Sequence, residues 1–317
     1  MFDRILFPTD GSDGASAAFE HVLDLASDHD ATVHVLNVAD TTHDSVTRIG
    51  REVVDVLERE GEEIVEAAAD RAAERGVETV TDVLQGGVAE TIATYADGHA
   101  IDLVVMPTRG RTGLDRLLLG STTERVVRES TVPVLSVRPD GEPARYPYRN
   151  VLVPTDGSER ARDALDRAVA LAERAGATVH VLSVVGVGAV GTEAYGGVDA
   201  MVENTEEIVS EAAAAVEEAG VEAAEAVEVG SSAARGIRAY ADENEIDLVV
   251  MGTQGRTGVE RYLLGSVAER TVRTSSVPVL TVPDPGDEAG ADEAEADDET
   301  GADEAEADDE TEESDEG

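Results

Sequence analysis

The sequence predicts an α/β protein made of two tandem domains, each built around a parallel sheet. Short apolar runs alternate with amphipathic stretches along the chain, which is the order of βα units. The chain is also duplicated internally, because Arg4–Ser12 returns as Asn150–Ser158 and Ala31–Val38 returns as Ala177–Val184, both with an offset of 146 residues. A length of 317 residues suits two domains of ordinary size.

The duplication continues through the second half of each copy. Ile101–Met106 returns as Ile246–Met251 and Val132–Leu135 returns as Val277–Leu280, now with an offset of 145, so one residue is lost in the middle of the second copy. We therefore predict a first domain over residues 1–139 and a second over 148–283. A proline-containing linker, 140–147, separates them.

Apolar periodicity assigns the elements within each copy. In the first helix, Phe19, Val22, Leu23 and Ala26 recur at the spacing of one helical face. Five β-branched runs are mostly continuous rather than alternating, as expected of strands covered on both faces. In the first copy these runs are Ile5–Phe7, Val33–Val38, Val80–Leu84, Leu103–Met106 and Val134–Val137.

The charge balance is strongly acidic, with 69 acidic and 24 basic residues and a formal net charge of -45. Such self-repulsion destabilises a compact state unless salt screens it, and at about 1 M salt the Debye length is only about 3 Å. We interpret the composition as adaptation to a salt-rich cytoplasm, in preference to mimicry of a nucleic acid. Nucleic-acid binding is disfavoured because no basic patch could displace counterions.

The last segment, 284–317, contains 19 acidic residues and no basic one, and an eleven-residue unit within it is repeated identically. Its composition predicts a disordered polyanionic tail, which either solvates the protein or docks a basic partner.

The chain has no cysteine, which excludes disulfides and thiolate catalysis. No stretch approaches the ~20 apolar residues that span a bilayer, and no apolar segment precedes Asp3. Membrane insertion is therefore not expected, and a cytoplasmic location is.

A glycine-rich stretch, Met251–Ser266, is the strongest functional signal. An apolar run leads into glycines, whose backbone N–H groups can approach an anion closely, and a predicted helix follows Gly265. This order is typical of a nucleotide-binding site. The duplicated Pro-Thr-Asp-Gly-Ser motif at the end of the first strand of each copy fits either a helix N-cap or a ligand-binding carboxylate.

With these motifs together, both copies resemble the universal stress protein family, and specifically its UspA-like domain. Nucleotide-binding members carry Gly-x2-Gly-x9-Gly-Ser/Thr after the fourth strand. In the second copy Gly252, Gly255, Gly265 and Ser266 match every position, whereas the first copy has Pro107 in place of the first glycine. The resemblance spans residues 1–138 and 147–283. It implies Rossmann-like domains with strand order 3-2-1-4-5, helices on both faces and pairing through the last strands.

The resemblance also implies roles for the matching residues. In the second copy the implied nucleotide-binding residues are Thr155, Asp156, Val184, Met251, Gly252, Gly255, Arg256, Gly265, Ser266 and Val267. The weaker equivalents in the first copy are Thr9, Asp10, Val38, Gly110, Gly120 and Ser121. Because proline lacks an N–H group, we expect the second domain to hold nucleotide well and the first poorly or not at all.

The expected function is binding of an adenine nucleotide, ATP first, with magnesium or manganese at its phosphates, in a stress-response protein that acts by binding. Two alternatives remain open: an ATP-hydrolysing enzyme, and a nucleotide-free regulatory module for a transporter or another protein. We expect intrachain pairing of the domains, with a homodimer as a further possibility.

Other motifs are weaker. Gly186–Gly191 fits a dinucleotide fingerprint, but it follows the second strand of its copy and opens no apolar helix, so we interpret it as a flexible loop. A Walker A loop is excluded because the chain has no lysine. His34 and His180 are one position seen twice, and we predict packed strand histidines rather than metal ligands.

Overall fold

The computed structural model describes residues 1–41, 51–108, 119–139, 144–186, 195–255 and 264–284. The first domain contains β1 (Arg4–Pro8), α1 (Asp13–His29), β2 (Thr32–Asp40), α2 (Arg51–Glu74), β3 (Thr79–Gly86), α3 (Val88–Gly98), β4 (Leu103–Pro107), α4 (Ser121–Glu129) and β5 (Val134–Val137). The second domain contains β6 (Asn150–Pro154), α5 (Glu159–Ala175), β7 (Thr178–Gly186), α6 (Tyr195–Glu218), β8 (Ala223–Gly230), α7 (Ala233–Glu243), β9 (Leu248–Gly252), α8 (Ser266–Thr274) and β10 (Val279–Val282).

The described strands form one ten-stranded sheet in the order β3-β2-β1-β4-β5-β10-β9-β6-β7-β8. Each half is parallel and has the expected order 3-2-1-4-5, so the predicted fold class is confirmed. The halves join where β5 and β10 run antiparallel, with Leu135 opposite Leu280. The predicted intrachain pairing of the two last strands is therefore observed.

The edge strands β3 and β8 depart from the prediction of strands covered on both faces. Along β3, Val80 and Leu84 are 41% and 37% exposed, and β8 is similarly half-exposed. Both lie at the ends of the sheet, so each has a neighbouring strand on one side only. The prediction was wrong for β3, because apolar content does not distinguish an edge strand from a central one.

The first helix of each domain begins as the sequence suggests. The Ser12 hydroxyl accepts a hydrogen bond from the N–H of Ala15, and the Ser158 hydroxyl accepts one from Ala161. The apolar face of α1 is buried against the sheet, with Phe19 only 1% exposed. In both motifs the serine is thus a helix cap.

An aspartate clamps the amino ends of the central strands in each domain. The Asp247 carboxylate accepts hydrogen bonds from the backbone N–H groups of Arg149 and Asn150, at 2.8 and 3.1 Å. Above this clamp, β6 and β9 pair at only two positions, whereas β6 and β7 pair at five. The strands β6 and β9 therefore start together and separate towards their carboxyl ends.

The mid-strand histidines are packed, as predicted. His34 is 7% exposed, and its Nδ1 lies 3.0 Å from the hydroxyl of Tyr95 on α3. His180 makes the same contact, also 3.0 Å, with Tyr240 on α7. Burial lowers the pKa of both histidines, so each imidazole is neutral at neutral pH.

The segment between the domains packs on α1. The rings of Tyr146 and Tyr148 contact the buried His21, whose Nε2 lies 2.7 Å from the Tyr148 hydroxyl. Tyr146 also donates to the Asp28 carboxylate, which receives a second hydrogen bond from Arg174 on α5. Residues from both domains and the connecting segment thus meet at one cluster, which is buried at His21 and Tyr148 and exposed at Asp28 and Arg174.

None of the described helices is long and apolar enough to cross a membrane. Residues 187–191 of the interpreted glycine loop, and residues 285–317 of the predicted acidic tail, lie outside the described residues.

We expect the buried His21 to make the fold sensitive to acid. Burial lowers its pKa to about 4, against a smaller opposing effect of Asp24. The unfolded chain takes up this proton near pH 6.5, so stability is complete above that value and falls as the pH drops towards 4. By linkage, His21 alone accounts for a loss of about 2 kcal/mol at pH 5.

Urea unfolding at about pH 7.5 and pH 5, in constant molar KCl, measures this loss. Carboxylates also titrate over this range, so the informative comparison is with His21→Gln, which keeps a hydrogen-bonding group beside Tyr148. Wild type should lose about 2 kcal/mol more than the variant. Equal losses would show that His21 does not carry the acid sensitivity.

Candidate functional site

A cavity of about 690 Å³ opens at the carboxyl edge of the second domain, where β6 and β9 separate. Open α/β sheets place ligands at this edge, and the volume is within the range of about 300–1,000 Å³ that is typical of small-molecule sites. Nine of the ten residues predicted for this domain line it: Thr155, Asp156, Val184, Met251, Gly252, Gly255, Gly265, Ser266 and Val267. Arg256 lies outside the described residues.

The loop after β6 is shaped by its own side chains. The Thr155 hydroxyl accepts a hydrogen bond from the N–H of Gly157, and Asp156 Oδ1 accepts one from Ser158, at 3.1 and 3.0 Å. These bonds form the turn that leads into α5. Asp156 is the charged side chain among the described residues that line the cavity.

The three glycines of the motif sit where a side chain would collide. A Cβ at Gly255 would lie 2.7 Å from Asp156 Oδ2, and one at Gly265 would lie 3.0 Å from the Thr253 carbonyl oxygen. A Cβ at Gly252 would lie 3.1 Å from the carbonyl oxygen of Arg160, in the first turn of α5. The glycines therefore let the two loops approach each other closely around the cavity.

Helix α8 starts at this cavity without a side-chain cap. Its N-cap residue is Gly265, which makes no side-chain hydrogen bond, and Ser266 and Val267 of its first turn line the cavity. The first N–H groups of a helix have no partner within the helix, and the helix dipole adds partial positive charge. This end of the cavity suits an anion.

The opposite wall is apolar and was missed by the motif-based prediction. It includes Leu182 on β7 and Ala233 and Ile237 on α7, and Leu264 adds an apolar side chain beside the last motif glycine. These residues look like ordinary core positions in the sequence. A comparison of the two copies could have pointed to this wall, because the first copy has the larger Val88 where the second has Ala233.

The family model described as the universal stress protein family matches this chain over two stretches, residues 1–138 and 147–283. This chain belongs to the universal stress protein family. It carries the family's domain twice, which agrees with the duplicated fold.

Known relatives resemble one half of the chain at a time. The universal stress protein MJ0531 of Methanocaldococcus jannaschii is 36% identical over 143 residues, which are 44% of this chain and 83% of that protein. The universal stress protein YxiE of Bacillus subtilis is 34% identical over 148 residues, which are 44% of this chain and 100% of that protein.

A solved structure has the whole two-domain fold. The crystal structure of a universal stress protein from Archaeoglobus fulgidus covers 88% of this chain and 98% of its own, with a TM-score of 0.69 and 24% sequence identity. The paired arrangement of two such domains thus has a precedent among solved structures.

The first universal stress protein domain repeats the same backbone framework. Asp10 Oδ1 accepts a hydrogen bond from Ser12, at 3.0 Å, as Asp156 does from Ser158. Gly120 caps α4 and donates its N–H to the Thr108 carbonyl at 2.9 Å, the counterpart of a 2.8 Å bond made by Gly265. Thr9, Val38 and Ser121 are described residues at the matching positions, and Gly110 lies outside the described residues.

The departure at Pro107 in the first universal stress protein domain is accompanied by a second one. Pro107 ends β4 as Gly252 ends β9. The contact of Gly252 is with Arg160, the second residue of α5, and the second residue of α1 is Gly14. At these matching positions the larger residue is therefore on the helix in the second domain, Arg160, and at the end of the strand in the first, Pro107.

This difference predicts an energetic coupling within the second universal stress protein domain. Gly252→Pro should lower the free energy of unfolding, because its Cβ meets the backbone and Cβ of Arg160. Adding Arg160→Gly removes the Cβ contact, so the double variant should recover at least about 0.5 kcal/mol relative to the sum of the single losses.

Urea unfolding of the wild type, both single variants and the double variant in molar KCl measures this coupling. Arg160→Ala serves as a control, since it removes the ion pair with Asp284 but keeps the Cβ atom. Strictly additive losses in the Gly252→Pro and Arg160→Gly pair would contradict the coupling.

Proposed function

We propose that this protein binds an adenine nucleotide, ATP first, in its second domain, and that it serves in the stress response by binding rather than by catalysis. The observation that carries the proposal is the cavity between the separating ends of β6 and β9, which collects nine of the ten motif residues on one surface.

The chemistry of the lining differs from one end of the cavity to the other. Glycines, hydroxyl groups and the uncapped start of α8 at one end offer N–H and O–H donors to phosphates. Leu182, Val184 and Ile237 at the other end offer an apolar wall to a flat base. A nucleotide is the ligand class that has both a polyanionic end and an apolar ring.

A divalent cation, magnesium or manganese, belongs to the proposal as a companion of the phosphates. Asp156 lies in the lining, and the whole chain has a formal net charge of -45. Both oppose entry of an unneutralised triphosphate. Phosphate oxygens are typical ligands of magnesium, which takes one or two carboxylates besides. We assign the cation to the nucleotide, with Asp156 as the carboxylate within reach of the cavity.

Binding rather than catalysis is supported by the side chains that line the cavity. Within the described lining, Asp156 is the ionisable group, and its Oδ1 atom accepts a hydrogen bond from the N–H of Ser158. A hydrolase needs a residue that orients water, and in this proposal the same carboxylate already forms the turn through Oδ1 and accompanies the cation. We therefore propose that the bound nucleotide acts as a signal or as a structural ligand.

We expect about one nucleotide per chain, and a matched pair of glycine variants tests where it binds. Gly255→Ala places a Cβ 2.7 Å from Asp156 Oδ2, so it should abolish most binding. Gly110→Ala, the corresponding change in the first domain, should leave the affinity within about twofold. Isothermal titration with ATP and magnesium in molar KCl measures both affinity and stoichiometry.

A second measurement covers nucleotide that is retained during purification. The protein, purified in molar KCl, is denatured and the released small molecules are analysed. No nucleotide in the extract, together with no heat stabilisation by added ATP, would contradict the proposal and favour a module that acts through protein contacts. Equal losses of binding from Gly255→Ala and Gly110→Ala would contradict the assignment to the second domain.

We further propose that the acidic composition suits the fold to high salt. The 283 residues before the acidic tail carry 50 acidic and 24 basic residues. Burial and the charges of Asp166 and Asp284 raise the pKa of Asp163 at the start of α5, which shows locally the cost of crowded carboxylates. Screening by salt reduces this repulsion.

The unfolding temperature should therefore rise with KCl. Because the Debye length falls from about 10 Å at 0.1 M to about 3 Å at 1 M, screening predicts that most of the rise occurs below about 1 M. Thermal unfolding followed by circular dichroism between 0.1 and 3 M KCl measures it. An unfolding temperature that is constant or falls over this range would contradict the proposal.

A further inference from the structure

The two domains differ at the helix that faces the glycine loop, namely α7 in the second domain and α3 in the first. The register between these helices is given by Tyr240 and Tyr95, since each hydroxyl lies 3.0 Å from the histidine in the middle of the second strand of its domain. Counting back from the tyrosines, Gly236 corresponds to Thr91. In the same way, Ala233 corresponds to Val88.

Gly236 determines how far Val184 can lie from the centre of the cavity. A Cβ at Gly236 would lie 2.9 Å and 3.0 Å from the two methyl carbons of Val184. Any larger residue at 236 therefore requires Val184 or α7 to shift. Val184 lines the cavity together with Ala233 and Ile237 of that helix, so either shift would change the shape of its apolar end.

The first domain has larger residues at both positions. Thr91 adds a β-branched side chain where Gly236 has none, and its hydroxyl lies 2.8 Å from the place of a Cβ at Gly86. Val88 adds two methyl groups relative to Ala233. Val88 and Val38, the counterpart of Val184, both pack against the buried apolar cluster of this domain. More side-chain volume therefore lies at these positions of α3 than at the matching positions of α7.

We propose that Ala233 and Gly236 are specificity-determining residues for the base end of the nucleotide, and that Val88 and Thr91 close the corresponding space in the first domain. This inference rests on the proposed function. It adds a second difference between the domains, at the end of the site opposite Pro107. In a Pro107→Gly variant, the first domain would still have less space for the base of a nucleotide.

The test separates the two ends of the ligand by titrating two compounds in molar KCl with magnesium. ATP has both a base and phosphates, whereas inorganic tripolyphosphate has only the phosphate end. For Gly236→Thr we expect the affinity for ATP to fall by at least about tenfold, with the affinity for tripolyphosphate unchanged within about twofold. Ala233→Val should act in the same direction and serves if Gly236→Thr does not fold.

Two controls accompany these variants. Arg235→Thr places the same β-branched residue at the neighbouring, exposed position of α7, so it measures the effect on the helix alone and should leave both affinities unchanged. The double variant Val88→Ala with Thr91→Gly changes the matching positions of the first domain and should leave the affinity of the second site unchanged. Thermal unfolding without ligand checks that each variant is folded.

Three outcomes would overturn the inference. Wild-type affinity for ATP in folded Gly236→Thr and Ala233→Val would show that these positions do not limit the base end. Equal losses for ATP and tripolyphosphate would show a general disturbance of the loop. Absence of ATP binding by the wild-type protein would refute the proposed function itself, and it is distinguished from the other two because it is seen before any substitution.

Discussion

The pairing of β6 with β9 is the interaction on which the candidate site depends. At their amino ends the two strands are held by the ladder and by Asp247, which binds two backbone N–H groups of the segment entering β6. Beyond two paired positions they separate, so the loops that follow Pro154 and Gly252 are free to surround a ligand-sized space. The joined amino ends and the open carboxyl ends of these strands are thus two consequences of one partial strand pairing.

The two domains share a backbone framework but differ in the side chains at the positions of the candidate site. Backbone hydrogen bonds at the loop bases have nearly the same lengths in both domains, for example 2.9 Å for Gly120 and 2.8 Å for Gly265. The side chains differ at both ends of the site, with Pro107 and Gly14 at one end and Thr91 at the other. The first domain therefore keeps the backbone framework of the second with different side chains at the positions that surround the second domain's cavity.

The site of the second domain also touches the junction between domains. Leu264 lines the cavity and precedes the last motif glycine, and it packs against apolar clusters of both domains. The antiparallel pairing of β5 and β10 brings these clusters together. The glycine loop of one domain is therefore supported by the core of the other, which a single isolated domain could not provide.

The sequence by itself determined the class of the fold, the duplication and the motif that ends β9. Continuous apolar runs, helical periodicity and conserved spacing between the two copies depend only on local chain properties, so they can be read without coordinates. The same patterns could not show that β3 is an edge strand. The number of strands that pair with it depends on how the whole sheet is assembled. Nor could the patterns show that Gly252 meets Arg160, whose position in the first helix of the first domain is taken by Gly14.

Tertiary structure alone decided which residues form the apolar end of the cavity. Ala233, Gly236 and Ile237 have the composition of an ordinary helix, and periodicity shows that one side of such a helix is apolar without showing what it faces. Only the crossing of α7 over the end of β7 brings Gly236 against Val184. The glycine-rich end of the cavity could be predicted from the sequence because most of its residues lie within one short stretch of the chain. The apolar end is assembled from segments that meet only in the folded chain.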